Sequence, residues 1–324
     1  MTAPDADNAE IAASWDAFWR GSRHGGALAG GGSTHPAVIG FWESEFRALR
    51  KHYATPRILD VASGNGALPA IARGVFAGQL PPFTCLDISA AAVRSLQQRF
   101  PGVDGIVADV RDLPLAGPAF DVAISQFGVE YAGLDVVADL ARVVGANGRI
   151  AMLLHHRQGG IRRQCRASLE AIRQVQAARF LPLTIALFEA GFAAARGGPR
   201  ADYEAAARRF EPAVRALEHI MQQFGVRVAD DTVVRLYRDV RTMHNRLTRY
   251  EPAEVLAWLA RMDEEVAAYA GRMQSMCAAA IDAGDFAELC RQLEQSGFVL
   301  LKREPLLNPE HGIPLAWALV AART

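Results

Sequence analysis

Apolar positions along this chain fall into two rhythms. Between residues 56 and 157, short apolar runs at 58–61, 83–86, 105–108, 122–125 and 149–154 alternate with segments of helical character. Runs of that length bounded by Gly, Asn, Asp or Ser predict strands, and their alternation with helices predicts an α/β domain. Residues 158–284 instead read as almost wholly helical. Ile161, Cys165, Leu169, Ile172 and Val175 share one helix face, and Phe210, Val214, Leu217, Met221 and Phe224 a second. Val233, Leu236, Val240, Met243 and Leu247 define a third, and Val255, Leu259, Met262, Val266 and Tyr269 a fourth. Arg196-Gly197-Gly198-Pro199 marks a break, and Pro252 sits where a helix begins. A helix over 285–296 then precedes two strands, 298–307 and 315–322, joined by an Asn-Pro-Glu-His-Gly turn region.

Ahead of all this lies a helical lead-in. Trp15, Phe18 and Trp19 have helical spacing, the run from Gly25 to Gly32 is too glycine-rich for helix or strand, and Pro36 opens a helix through Phe41, Trp42 and Phe46. The expected organisation is therefore a lead-in over 1–55, an α/β domain over 56–157 and 285–324, and a helical insertion over 158–284.

Composition narrows the class. The chain has 324 residues, 51% of them hydrophobic and 22% charged, as in a soluble globular protein with one large or two modest cores. Lys plus Arg and Asp plus Glu balance at 35 each, so no global field recruits nucleic acid. No apolar run approaches the roughly 18–20 residues of a membrane span, and residues 1–13 carry Asp5, Asp7 and Glu10 in place of a basic leader. Cys85, Cys165, Cys277 and Cys290 show no C-x-x-C spacing and read as reduced packing thiols, with no metal site. The expected location is cytoplasmic.

The chemistry concentrates at residues 58–66, where an apolar run carrying Asp60 breaks into Gly64-Asn65-Gly66 ahead of a helix-forming segment. A strand that runs into a glycine turn at a helix N-terminus is how α/β folds hold nucleotide-like cofactors. A dinucleotide site places a third glycine where this chain has Pro69, and phosphate avoids an acid such as Asp60. A zwitterionic or cationic ligand fits the carboxylate better.

Residues 59–66 resemble motif I of the class I S-adenosylmethionine (SAM)-dependent methyltransferases. That resemblance implies a Rossmann-like, mostly parallel seven-stranded sheet closed by an antiparallel C-terminal hairpin, with the helical insertion as a cap. It sets Asp60, Ala62, Ser63, Gly64, Asn65 and Gly66 against SAM. Asp87-Ile88-Ser89 is similar to the family's ribose-diol acid and its neighbours, Asp109-Val110 to the pair that reads the adenine edge, and Gln126 and Phe127 to the tip of the fourth strand. Asp87 by itself would also suit a dehydrogenase; Asp60, the missing third glycine and the C-terminal strands discriminate. The resemblance covers 57–154 and, by pattern only, 285–323. Family members often close an N-terminal helix over the cofactor, which makes Trp19 a candidate cover and the glycine run its hinge. The bland alternative for Trp15 and Trp19 is an apolar face packed on the domain.

Two side chains are candidates for the reaction itself. His155 and His156 end the fifth strand, and strand alternation lets at most one of them face a ligand. His155 is taken as the candidate base; Glu130, beyond the fourth strand, is the second candidate. Arg157, Arg162, Arg163, Arg166, Arg173 and Arg179 form either a solvated basic face or a clamp for an anionic substrate. The function expected is methyl transfer to oxygen or nitrogen of a small or medium-sized molecule, with a homodimer through the insertion as an open option. The rivals are a SAM-binding regulatory or assembly protein without turnover, and a peptide or protein methyltransferase.

Overall fold

The computed structural model describes residues 34–323 together with residues 12, 13, 15, 16, 18–20 and 32. The expected hinge over 25–31 and most of the leader segment lie outside the described residues. The chain divides into two compact units, Met1–Arg163 with Ser275–Thr324, and Gln164–Gln274.

The first unit is built on a seven-stranded sheet: β1 (Ile58–Val61), β2 (Phe83–Asp87), β3 (Asp104–Val107), β4 (Phe120–Gln126), β5 (Val144–His155), β6 (Phe298–Leu307) and β7 (Pro314–Arg323). The order across the sheet is β3-β2-β1-β4-β5-β7-β6. β1 to β5 pair in parallel, while β7 runs antiparallel to both β5 and β6. The chain steps outward from β1 to β3, then returns to β4 on the other side of β1. That reversal opens a crevice at the C-terminal ends of β1 and β4.

Alternation along the strands feeds two cores. Ile58, Val122 and Leu153 face α1 (Pro36–His52), α2 (Ala67–Val75) and α3 (Ala90–Arg99), meeting Phe41, Trp42, Phe46, Leu68 and Leu96. Leu59, Val61, Met152 and Leu154 face α4 (Val137–Val143) and the helix Ala283–Gln295, meeting Leu140, Leu289 and Leu293. Each such buried apolar side chain contributes about 1.5–3 kcal/mol. Asp60 therefore shares a face with Ile58, and His155 with Leu153.

Residues 145–148 are absorbed into β5. Its pairing with β4 jumps from Phe120↔Val144 to Val122↔Arg149, and Asn147 takes φ 57 within the irregularity. Residues rich in glycine with one asparagine tolerate that excursion without ending the strand.

The second unit is helical. α5 (Gly160–Ala177) begins before it and α9 (Pro252–Ala279) ends after it, while α6 (Phe180–Ala195), α7 (Arg200–Phe224) and α8 (Thr232–His244) lie wholly inside; Ala283–Gln295 is α10. The expected faces of α5, α8 and α9 are buried at Ile161, Cys165, Leu169, Ile172, Val175, Val233, Leu236, Val240, Val255, Leu259, Val266 and Tyr269. In α7 the buried face is Phe210, Ala213, Leu217 and Ile220, turned from the expected one so that Val214, Met221 and Phe224 are half-buried. α6 was not separated by period, because it is apolar on every side. Gly160–Ala195 reaches a mean hydropathy of 1.4 over an 18-residue window, against the expectation that no apolar run approaches a membrane span. Arg179, at φ 53, divides it and leaves α6 at 16 residues, short of the roughly 20 a span requires.

Candidate functional site

The turn after β1 is shaped by its backbone. Ala62 and Gly64 take φ of 55 and 54, Ser63 N–H donates to the Leu86 carbonyl at 3.1 Å, and Arg99 donates to the Asn65 carbonyl. A Cβ on Gly64 would stand 2.8 Å from the Trp19 ring, so that ring lies directly on the bare backbone. Gly128, just past β4, approaches still closer: its Cβ would meet the Cβ of Ala62 at 2.3 Å. Gly128→Ala is therefore expected to lower the melting temperature by several degrees, since overpacking costs about 1–3 kcal/mol. Gly74→Ala, in the exposed part of α2 with nothing within 4 Å, is the control and should leave stability equal or higher. Equal melting of the two variants would remove the steric argument.

Three acids converge on the cleft beside this turn. Asp87 is 7% exposed, and its two oxygens accept one bond each, from Gly64 N–H at 2.8 Å and from Ser89 N–H at 2.9 Å. Burial still leaves its pKa raised, against the pull of those two donors. Asp60 is 1% exposed, and neither of its oxygens accepts a hydrogen bond among the described residues. Burial first, then the nearby charge of Asp87, pushes Asp60 well above the usual carboxylate range. A buried acid with no donor is costly, and a cationic or ammonium-bearing ligand relieves it. Asp109 differs. Burial acts to raise it, but Arg111, which donates from its backbone N–H and its guanidinium, outweighs that and holds it low.

Across the cleft, His155 and Glu130 form a buried pair. Glu130 Oε1 accepts from His155 N–H at 2.8 Å and lies 2.6 Å from His155 Nδ1. A carboxylate there fixes the imidazole tautomer, with the proton on Nδ1 and the Nε2 lone pair free. Among the described residues His155 Nε2 has no hydrogen-bond partner, and His155 lines the cleft between Phe127 at 4.7 Å and Tyr131 at 5.8 Å. His156 points the other way, stacked 4.3 Å from Trp317 with its Nδ1 accepting from Gln158 N–H.

The cleft holds about 1180 Å³ counting its open mouth. Of the residues singled out in the sequence, Trp19, Asp60, Ala62, Ser63, Gly64, Asn65, Asp87, Ile88, Asp109, Val110, Gln126, Phe127 and His155 line it. Gly66 and Ser89 stand behind the wall: Gly66 faces Phe100 from the N-terminus of α2, and Ser89 caps α3 by accepting from Ala92 N–H at 3.1 Å. Glu130 reaches the cleft only through His155. Gln126 Oε1 is buried without a partner.

Asp16 and Arg111 are contributors that lie outside the residues singled out in the sequence. Asp16 accepts from Ser89 Oγ at 2.8 Å and from Ala91 N–H at 2.7 Å, fastening the N-terminal helical residues to the start of α3. Trp15 meets Tyr131 edge-on at 5.7 Å, and Met276 and Arg111 also line the cleft. The arginines at the start of the insertion do not line it. Arg157 pairs with Asp282 and Asp285, and Arg162 donates to the carbonyls of Arg157 and Cys277. Among the described residues no group of three or more His, Cys, Asp or Glu is placed to hold a metal.

A parallel sheet with this strand order, a glycine turn after β1 and acids at the ends of β2 and β3 defines a Rossmann-like nucleoside-cofactor domain. Residues 58–148 match the family model of a methyltransferase domain. A SAM-dependent methyltransferase from Mesorhizobium loti is similar at 21% identity over 35% of this chain and 54% of its own, with a TM-score of 0.30. Geranyl diphosphate C-methyltransferase from Streptomyces coelicolor is similar at 16% identity, covering 45% and 64%, with a TM-score of 0.32. A sugar N-methyltransferase from a Streptoalloteichus species shares 21% identity over 43% and 52%, with a TM-score of 0.31. The chain thus spans roughly half to two thirds of the length of these relatives. No curated protein sequence matches it significantly.

Proposed function

We propose that the protein transfers a methyl group from SAM to an oxygen or nitrogen of a small or medium-sized organic molecule, with His155 as general base. The observation that carries this is the orientation of His155: a buried imidazole, held through Nδ1 by Glu130, whose bare Nε2 lines the same cleft as the donorless Asp60. Asp60 suits the ammonium of the amino-acid moiety, Asp87 the ribose hydroxyls, and Asp109 with Val110 the adenine edge. Ala62 to Gly66 and Ile88 supply backbone and apolar wall, with Gln126 and Phe127 toward the reacting end. Bound there, SAM supplies a methyl group already activated by positive charge on sulfur. His155 Nε2 takes the acceptor's proton, Glu130 keeps the imidazole turned toward it, and Phe127, Tyr131 and Trp15 keep water out.

The N-terminal helical residues act in this reading as a cover, latched by Asp16, with Trp19 on Gly64. Residues 158–284 serve as a substrate-side cap, and a homodimer through them is compatible with it. That reading is supported by where the chain leaves and rejoins the first unit. Arg157 N–H donates to the Ile281 carbonyl and Ile281 N–H to the backbone carbonyl of His155 itself. Arg111 is the cation lining the cleft among the described residues, and it pairs with Asp109. A cytoplasmic location belongs to the same proposal.

The test is incubation of purified protein with methyl-labelled SAM and a cell extract. Label in a small-molecule product supports the reading. Label in protein assigns a peptide or protein methyltransferase, and SAM binding with no label transferred assigns the non-catalytic rival.

A further inference from the structure

The helical unit holds a second cavity that the methyl-transfer reading does not use. Phe180 and Leu187 of α6, Ala207 and Phe210 of α7, and Val240 of α8 wall a space of about 740 Å³ counting its mouth. Phe180 and Leu187 are buried, and the Phe180 and Phe210 rings lie 5.3 Å apart, so the cavity reaches into the core of the unit. A space between helices of a bundle is a common ligand site.

Its polar groups gather on one face of α8, at Tyr237, Arg241 and His244, spaced four and three residues apart. Two of them are held in place. Tyr237 donates to Glu218 at 2.8 Å, and His244 Nε2 lies 2.8 Å from the Tyr203 hydroxyl. Burial lowers His244, so its imidazole is neutral, and the wall's acid, Glu211, is already paired with Arg215. Arg241 stands at the exposed rim, its guanidinium hydrogen-bonded to Tyr237.

We infer that the unit Gln164–Gln274 carries a small-molecule site for an apolar carboxylic acid, whose hydrocarbon lies between Phe180, Phe210 and Val240 and whose carboxylate meets Arg241. The inference does not depend on the methyl-transfer reading.

Calorimetry of the full chain with decanoate, decanol and decylamine tests it. Saturable binding of one decanoate per chain is expected, with decylamine at least about tenfold weaker, the weight of one charge-assisted contact. Ala207→Phe fills the cavity and should abolish decanoate binding. Arg241→Glu, at the exposed rim, should weaken decanoate about tenfold and erase its advantage over decylamine. Cooperative ligand-free melting shows that each variant is folded; should Ala207→Phe fail that check, Arg241→Glu decides. No saturable decanoate binding, equal binding of all three probes, or binding that a folded variant leaves unchanged overturns the site.

Discussion

Asp87→Ala is expected to abolish the thermal stabilisation that SAM confers on the unsubstituted protein. The Asp87 carboxylate is aimed by two backbone donors, Gly64 N–H and Ser89 N–H, each bonded to a different oxygen, so both oxygens keep lone pairs for a diol. Each hydrogen bond to a charged group is worth about 1.5–3 kcal/mol, so losing two weakens binding roughly 10²- to 10⁴-fold. A ligand at about 100 times its Kd stabilises a protein by about 2.7 kcal/mol, and a hundredfold weaker Kd leaves only about 0.4 kcal/mol. The ligand-free protein should change less. The substitution leaves two N–H groups without an acceptor but also removes one of two neighbouring buried acids, whose mutual charge raises Asp60. The decisive comparison is therefore the SAM-induced shift in melting, measured by calorimetry against each variant's own ligand-free baseline. A full shift in a folded Asp87→Ala protein would sink the assignment of the ribose subsite. The same measurement with NADH distinguishes a dehydrogenase-like use of Asp87, for which the shift would follow the dinucleotide instead.

The parts of this architecture that could be read from residue order are the ones whose causes are local. The apolar runs at 58–61 and 83–86, the glycine turn between Asp60 and Ala67, and the paired runs after residue 297 declare themselves by composition and length. α6 did not, because a helix apolar on every side has no period to detect, and only the conformation of Arg179 separates it from α5. In α7 the face was misread because Val214, Met221 and Phe224 offer a second apolar stripe, and tertiary packing chose Ala213 and Ile220 instead. The site divides in the same way. Strand alternation separates His155 from His156 in the sequence itself. The meeting of Glu130 with His155, 25 positions apart, depends on the parallel register of β4 and β5 that brings Gln126 beside Leu153. No local pattern carries that register. The latch from Asp16 to Ser89 and Ala91 spans more than 70 positions and is equally invisible from spacing. An acid at the start of a helical segment has many solvated explanations before a distant helix N-terminus is known to be beside it.

His155→Ala is expected to lower kcat about 10²- to 10⁴-fold on the acceptor found by labelling, while the SAM-induced thermal shift persists. The split follows from position. His155 faces the cleft through Nε2, which binds no protein group, so its removal takes away proton acceptance without dismantling the acids that face the cofactor. Glu130 acts one step further back. It touches His155 through Nδ1 and through the backbone N–H, so it is a positioning residue, and a lower rate in its variants could arise from misfolding alone. Two readouts separate the cases. Glu130→Gln keeps the shape but turns the contact with His155 Nδ1 from a carboxylate to an amide, so kcat should fall with KM and ligand-free melting little changed. Glu130→Asp, which restores the carboxylate, should recover part of that kcat. A purely structural Glu130 would lower ligand-free melting in step with the rate and show no such rescue. An unchanged kcat in His155→Ala would carry a different meaning: an acceptor with no proton to lose, such as a carboxylate, needs no base. The Glu130–His155 pair would then be a buried brace for the end of β5, and the general-base assignment would be lost.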